Sequence, residues 1–487
     1  MGLAIKALSN QGSRKNLNTL SYILAGNKIP ITLNLYEAER YAPAVIVQQL
    51  IGNLVYYSNN GRYEPRISES WQRVSPTRWD FKIKKGYTCE NGEEISAASF
   101  KKSLIRSFKA AAKKGNVPVF NKLEGFSDLI NGNINEFPGI IVVDDILSFR
   151  FTESTRSGPL QLLSFAPFGY ICEENLNPDL SWKDDSKFIS SGAYKIEKIE
   201  IGKEYILAKR KEWIDSASKS PERVIINHDI PTSEKEVERN TIIDSLQPLN
   251  SLPSNLKNYP LVPEYMCGIL LGNIKDGFFS KLENRRALDN AVQVKRESYP
   301  NKQPSTSYSP FFYPSQQRLK QSFPKIVVSP PKKPLVIEGK ELDVTNPKYA
   351  AYKILIDALE SLGWKYVMKN NEFTWKDHSD PNYDIRIAGT SVGSGVEAWG
   401  LDMFFFSPVG PNLPDPSGRV KKMLEKYDAD KLTEQELTDQ FITTVEEDSA
   451  IFPISHFGLQ WYISSGVNTK SISPLISVIR FDQVEIE

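Results

Sequence analysis

Gly389-Thr390-Ser391-Val392-Gly393 is the stretch whose spacing matches a catalytic signature, G-x-S-x-G. Such a pattern can lift a serine hydroxyl onto a strained strand-to-helix turn. The serine then needs a base to take its proton and an acid to orient that base. Asp402 or Asp415 and then His456 follow in the chain order Ser, Asp, His. The surroundings favour an ordinary loop. No HGGG-type segment precedes the pentapeptide, and Ser394-Gly395-Val396 is a poor start for the helix such a turn must feed. We read Gly389–Gly393 as a loop and keep Ser391 with His456 as the hydrolase alternative.

The other chemical groups are sparse. His228, His378 and His456 lie far apart, and none has a ligand partner at i+2 or i+4, so each reads as structural. There is no Walker loop, no G-x-G-x-x-G and no HExxH. Aromatics cluster late, at Trp375, Trp399, Phe404-Phe405-Phe406 and Trp461-Tyr462. Core packing is the default for such residues. Trp399 stands apart because Gly395, Gly400 and Asp402 give its neighbourhood a loop composition. An aromatic ring beside a carboxylate suits a ligand with an apolar body and a cationic end.

Short elements must position these groups. The first clear strand is expected over Ile31–Tyr36, with a helix from near Pro43 and a hairpin turning at Asn60-Gly61. Trp79, Phe81 and Ile83 alternate with polar residues, the period of a half-buried strand. Breaks at Gly86 and Asn91-Gly92 follow. Ser96 can then cap a helix carrying Phe100, Leu104, Phe108 and Ala111 on one face. A hairpin is expected around Gly202-Lys203, and Val224-Ile225-Ile226 reads as a further strand. Met266–Leu271 is a continuous apolar run, as in a strand buried on both faces. Helix 282–297 follows, then a Pro-, Ser- and Lys-rich connection over 300–334. Leu335–Ile337, a helix ending at Gly363, and Trp364–Met368 make a βαβ unit. Ile385–Ala388, helices near 417–427 and 433–447, and a strand at Leu459–Ile463 complete the pass.

The 487 residues are too many for one core, which stops growing at roughly 250–300 residues. With 60 basic and 59 acidic residues, the chain lacks the charge of a dedicated nucleic-acid binder. Runs such as Lys421-Lys422 read as solvated helix faces. Cys89, Cys172 and Cys267 form no CxxC, and they allow one disulfide without choosing its pair. No apolar run approaches the roughly 20 residues of a bilayer span. The N-terminus shows neither a signal-peptide apolar segment nor a small-residue cleavage site, which leaves either a cytoplasmic protein or a mature chain given without its export signal.

Pro65-Arg66-Ile67-Ser68-Glu69-Ser70-Trp71, then Trp79–Ile83, Gly86, Asn91-Gly92 and the capped helix Ser96–Phe108, resembles the signature of the family 5 extracellular solute-binding proteins. These are the receptors of oligopeptide, dipeptide and nickel ABC importers. Further segments resemble the family in order. They are Ser191-Gly192-Ala193-Tyr194-Lys195-Ile196, Ile242-Ile243-Asp244, Ile269–Asn273 with Arg285-Arg286-Ala287-Leu288, Tyr383-Asp384-Ile385, and Glu447-Asp448 through Phe452-Pro453-Ile454. Together they cover nearly the whole chain from about residue 16. One departure stands out. Peptide-binding members place a Trp and an amine-pairing Asp almost directly after the Tyr-Asp-Val strand. Here Trp399 and Asp402 keep the spacing but arrive later, and Asp415-Pro416 later still.

The resemblance implies an α/β fold, the two-lobed periplasmic-binding-protein-like fold of type II, large cluster, with an extra subdomain. Lobe I would comprise 1–43, 185–265 and 458–487, the extra subdomain 44–184, and lobe II 266–457. It implies a periplasmic or cell-surface monomer without cofactor, metal or nucleic acid, which is no enzyme. Such a receptor holds a short peptide or other small molecule by hinge closure and passes it to a membrane permease. The ligand-contacting residues would be Tyr36 and Glu37 after the first strand, and Trp399, Asp402 and Phe404 from the second lobe. A ligand-sensing module without transport is the remaining alternative.

Overall fold

The computed structural model describes residues 18–26, 32–34, 41–58, 62–113, 119–134, 136–156, 158–179, 181–184, 187–245, 249, 251–261, 265–299, 306–308, 312, 326–338, 342, 348–369, 383–391, 398–406, 413–472 and 479–487. The chain divides into two units. Unit 1 holds Met1–Glu153, Pro159–Leu261 and Leu459–Glu487, and unit 2 holds Ser154–Gly158 and Val262–Gly458.

Unit 1 is built on a seven-stranded sheet of β1 (Thr19–Ala25), β8 (Tyr194–Glu200), β9 (Glu204–Lys209), β10 (Arg223–Asn227), β11 (Thr241–Ser245), β12 (Lys257–Pro260) and β19 (Gln460–Ile463). Its order is β12-β19-β11-β1-β10-β9-β8. The strand expected over Ile31–Tyr36 is replaced by β1. Residues 32–34 are irregular, and residues 31, 35 and 36 lie outside the described residues. The reason is position in the sheet. β1 pairs in parallel with β10 on one side and β11 on the other, and all seven of its residues are buried. A central strand has no solvent face, so TLSYILA lacks the alternation that marks half-buried strands.

Two smaller sheets belong to the same unit. β2 (Val55–Tyr57) pairs with β3 (Tyr63–Pro65), and β4 (Ser68–Ser75), β5 (Arg78–Ile83), β6 (Ile140–Val143) and β7 (Ile146–Arg150) form the order β4-β5-β7-β6. Four helices accompany these sheets among the described residues: α1 (Tyr41–Leu50), α2 (Ala97–Ala112), α3 (Phe126–Asn131) and α4 (Pro159–Ser164). Ser96 caps α2 as expected, accepting the Ser99 N–H while the Ser99 hydroxyl accepts the Ser96 N–H. The apolar face of α2 is fully buried. Phe108 packs against Phe120, Phe126, Phe137 and Phe168 at 4.8–6.2 Å between ring centroids. The aromatic richness of the chain thus goes largely into this core.

Unit 2 carries a six-stranded sheet in the order β14-β18-β13-β17-β15-β16. The strands are β13 (Tyr265–Leu271), β14 (Thr306–Tyr308), β15 (Leu335–Glu338), β16 (Tyr366–Lys369), β17 (Ile385–Ser391) and β18 (Ile451–Phe457). Helices α5 (Leu282–Glu297), α6 (Tyr349–Ser361), α7 (Ala398–Phe406), α8 (Arg419–Asp428) and α9 (Glu434–Asp448) accompany it. The expected βαβ unit is β15-α6-β16, with its strands parallel. The segment 300–334, expected as a bare connection, contributes the short strand β14 to the sheet beside β18.

β13 shows why an unbroken apolar run suits this site. Cys267, Ile269 and Leu271 belong to a core that includes Leu288 of α5 and Leu355 of α6. Met266 and Leu270 belong to a different core, with Leu401 of α7 and Phe441 of α9. Alternate side chains therefore enter different cores, and both faces are dry. Pro453 sits inside the neighbouring β18, a position that would cost a ladder hydrogen bond in a regular strand. The register slips there, from Cys267 facing Ser455 to Gly268 facing Pro453, so Ile454 is the extra residue of a bulge and the proline adjoins it. Gly268 permits the close approach, since a Cβ there would lie 2.9 Å from the Phe452 carbonyl oxygen.

Candidate functional site

The segment from β17 to α7 carries most of the residues singled out by their chemistry. β17 starts with Ile385 in a buried position and ends at Ser391. Arg386, next along, is buried against Glu338 on β15, its register partner, and its guanidinium lies 4.6 Å from the centroid of the Tyr383 ring. Asp384 accepts the Val336 N–H at 2.8 Å, so this carboxylate fastens two strands together.

The strand register sets the Ser391 and His456 backbones apart. His456 stands in register with Met266, and Met266 with Thr390, whereas Ser391 is in the next row, opposite Tyr265. β13 separates the Ser391 and His456 backbones by two strand spacings, about 10 Å. A base must come within about 3 Å of the group it deprotonates. The His456 ring is buried and its Nε2–H donates to the Phe312 carbonyl at 3.1 Å. Burial pushes its pKa down, against a smaller upward push from that hydrogen bond, which keeps the ring neutral. Asp415 is used elsewhere. Its carboxylate accepts the N–H groups of Val420 and Lys421 in the first turn of α8, at 3.3 and 3.2 Å.

Trp399, Gly400 and Asp402 fall on helix α7, which corrects the loop expected from their composition. The helix is set by its apolar run: Ala398, Leu401 and Phe405 are buried in one core of unit 2. Asp402 is half-buried at the border of that stripe. Phe404 lies about 200° further round the helix and packs against the same core from the other border. Asp402 and Phe404 thus flank the buried stripe from opposite sides. Trp399 stands three residues before Asp402 on the same helix. Tyr36 and Glu37 lie outside the described residues.

The sequence left the disulfide pair open, and the structure joins Cys89 to Cys172. The Glu93 carboxylate lies beside these sulfurs, and the three side chains could converge on one ion. The disulfide uses both thiols, and Glu93 accepts the Tyr170 hydroxyl at 2.6 Å and the Glu173 N–H at 2.9 Å. These groups therefore serve the fold. The third cysteine, Cys267, is fully buried, and burial pushes its thiol up to about 12.

Sequence reasoning missed a buried polar cluster in unit 1. Arg66 is ion-paired with Asp482, both 2% exposed, although 416 positions separate them. Tyr87 donates to Asp215, which also pairs with Lys84 at 2.8 Å. Arg66 stands second in the Pro65–Trp71 motif, but nothing in the sequence connects it to the C-terminal segment.

Residues 62–321 match the profile described as bacterial extracellular solute-binding proteins, family 5, middle. The chain belongs to that family. The family 5 assignment agrees with the resemblance carried by Pro65–Trp71 and the segments after it. A protein of Haemophilus influenzae named "putative binding protein" is 22% identical over 291 residues, which are 56% of this chain and 51% of that protein. The chain thus matches about half the length of that curated relative. Solved family 5 structures align end to end. A periplasmic oligopeptide-binding protein of Borrelia burgdorferi matches with a TM-score of 0.69 at 15% identity, covering 96% of this chain and 100% of that one. NikA of Brucella suis, solved in complex with Fe(III)-EDTA, matches with 0.68 at 13% identity, covering 96% and 100%. The chain therefore has the two-lobed type II periplasmic-binding fold of these proteins. No helix among the described residues is long and apolar enough to cross a membrane.

Proposed function

We propose that this chain is the extracytoplasmic receptor of an ABC importer, which captures a peptide-like or other small solute by closing its two lobes and presents it to a membrane permease. The observation that carries this reading is the family 5 match over more than half of the chain. Aligned structures include an oligopeptide receptor and a protein holding a metal chelate, so the fold accommodates different solutes. The Cys89–Cys172 disulfide supports residence in an oxidising compartment, periplasmic or at the cell surface. The occupied His456 ring argues for a binding protein over a serine hydrolase.

In this reading Tyr36 and Glu37 contact the solute from one lobe, and Trp399, Asp402 and Phe404 from the other. Asp402 neutralises a cationic group on the solute. The receptor works as a monomer without cofactor, and closure is limited by the solute's differential affinity for the two states. Calorimetry of Asp402→Ala with a cationic solute retained by the wild type tests the assignment. We expect affinity to fall by at least about tenfold, the order for one lost charge-assisted contact. Unchanged affinity discards Asp402 as a ligand residue.

A further inference from the structure

Arg480 in unit 1 is a guanidinium without a carboxylate ion-pair partner or side-chain hydrogen bond among the described residues. Its described side-chain contact is with the Tyr56 ring, 5.6 Å from the centroid. Arg66 approaches the same ring at 5.3 Å and the Trp213 ring at 4.8 Å. Two positive groups therefore meet one tyrosine, and Asp482 is the carboxylate that pairs with Arg66. The nearby acids are committed elsewhere. Glu64 accepts the Tyr56 hydroxyl at 2.9 Å, and Asp215 is taken by Lys84 and Tyr87.

Donors are also left over. The Arg66 Nε–H and the Trp213 indole N–H are buried and have no acceptor among the described residues. Such groups cost free energy unless an acceptor arrives. The cluster is not sealed, because Tyr56 and Arg480 are each half-buried. Burial, then the like charge of Arg66, push the Arg480 pKa down to about 9 against the smaller pull of Asp482 and Tyr56, so it still carries its proton at neutral pH.

We propose that Arg480, with Arg66 and Tyr56, forms a binding site for a small oxyanion, a carboxylate or phosphate group. The planar fork of a guanidinium matches such a group with two parallel hydrogen bonds. Asp482 attracts Arg480 but is committed to Arg66, so an anion there would give Arg480 the direct hydrogen-bonded partner it lacks among the described residues and would offset its repulsion from Arg66. The site does not depend on the solute reading above, because none of its residues is among those proposed to touch the solute.

The test is calorimetric titration of the whole chain with inorganic phosphate, sulfate and acetate at constant ionic strength against chloride. This control separates binding from the general stabilisation that excluded salts give. Saturable binding of at least one of the three is expected, and the one that binds tightest names the headgroup. Arg480→Gln should weaken it by at least about tenfold. Arg223→Gln, which removes an exposed arginine paired with Glu197, should leave it unchanged. If Arg480→Gln does not fold, Arg480→Lys carries the test, since it keeps the charge, loses the fork and should still bind more weakly. No saturable heat in the wild type, or undiminished affinity in every folded Arg480 variant, overturns the proposal.

Discussion

Cys89 and Cys172 are joined across 83 positions, tying the loop before α2 to the segment after α4. A covalent link over so long a loop removes many conformations from the unfolded chain, although the balance of entropy and enthalpy in this effect depends on the model used.

Reduction should therefore destabilise the protein by about 2–5 kcal/mol. Thermal unfolding with and without reductant measures this, and Cys172→Ser should reproduce the reduced value. Thiol counting checks the pairing directly. In denaturant without reductant, alkylation should modify Cys267 alone, and after reduction all 3 cysteines. Three reactive thiols in the oxidised, purified protein would contradict the link.

Arg66→Met should be among the most damaging single changes in unit 1. It leaves the Asp482 carboxylate buried without its main partner, a loss of about 3–5 kcal/mol where buried pairs are broken. Acid sensitivity follows from the same pair. Burial alone would raise the Asp482 pKa, but Arg66 and Arg480 outweigh it and hold the group below its ordinary 3.8. A carboxylate with a depressed folded pKa stabilises the fold above its unfolded pKa, and that contribution is lost as pH falls through the folded one. Stability should decline below about pH 4. Denaturant midpoints over that range should fall less steeply for Asp482→Asn, measured from its own lower baseline.

His456 predicts a second pH window. Its folded pKa lies below the ordinary 6.5, chiefly because the ring is buried. Its contribution is complete above 6.5 and is lost as pH falls from there through the folded value. NMR titration should show a His456 midpoint below 6.5. A fluorophosphonate probe should leave Ser391 unlabelled at every pH where the protein is folded, and stoichiometric labelling would revive the hydrolase reading.

Local pattern made much of the fold legible. Helix 282–297, the capped helix after Ser96 and the β15-α6-β16 crossover each have a period, a cap or a terminating glycine in the chain itself. β1 was not legible, because it carries neither alternation nor the unbroken apolar run that marked β13, Thr19 and Ser21 standing among its buried residues. Nor was the helicity of Ala398–Phe406, where Gly400 suggested a loop while Leu401 and Phe405 were recruited to a core by distant partners such as Phe441. The ion pair between Arg66 and Asp482 needs the whole fold to bring its members together. The spacing of Trp399 and Asp402 singled them out in the chain, and the structure places both on α7. The chain could not show that Phe404 packs against the core, which depends on tertiary contacts.

In the proposed function the protein holds a small solute reversibly and releases it unaltered. Native mass spectrometry of protein purified under mild conditions from its own source tests this most directly. A complex heavier than the chain by one small molecule is expected, which dissociates on denaturation, is recovered chemically intact and rebinds to refolded protein. Recovery of that molecule in cleaved form, or its attachment to the chain by a covalent bond, would rule out a binding protein that leaves its solute unchanged.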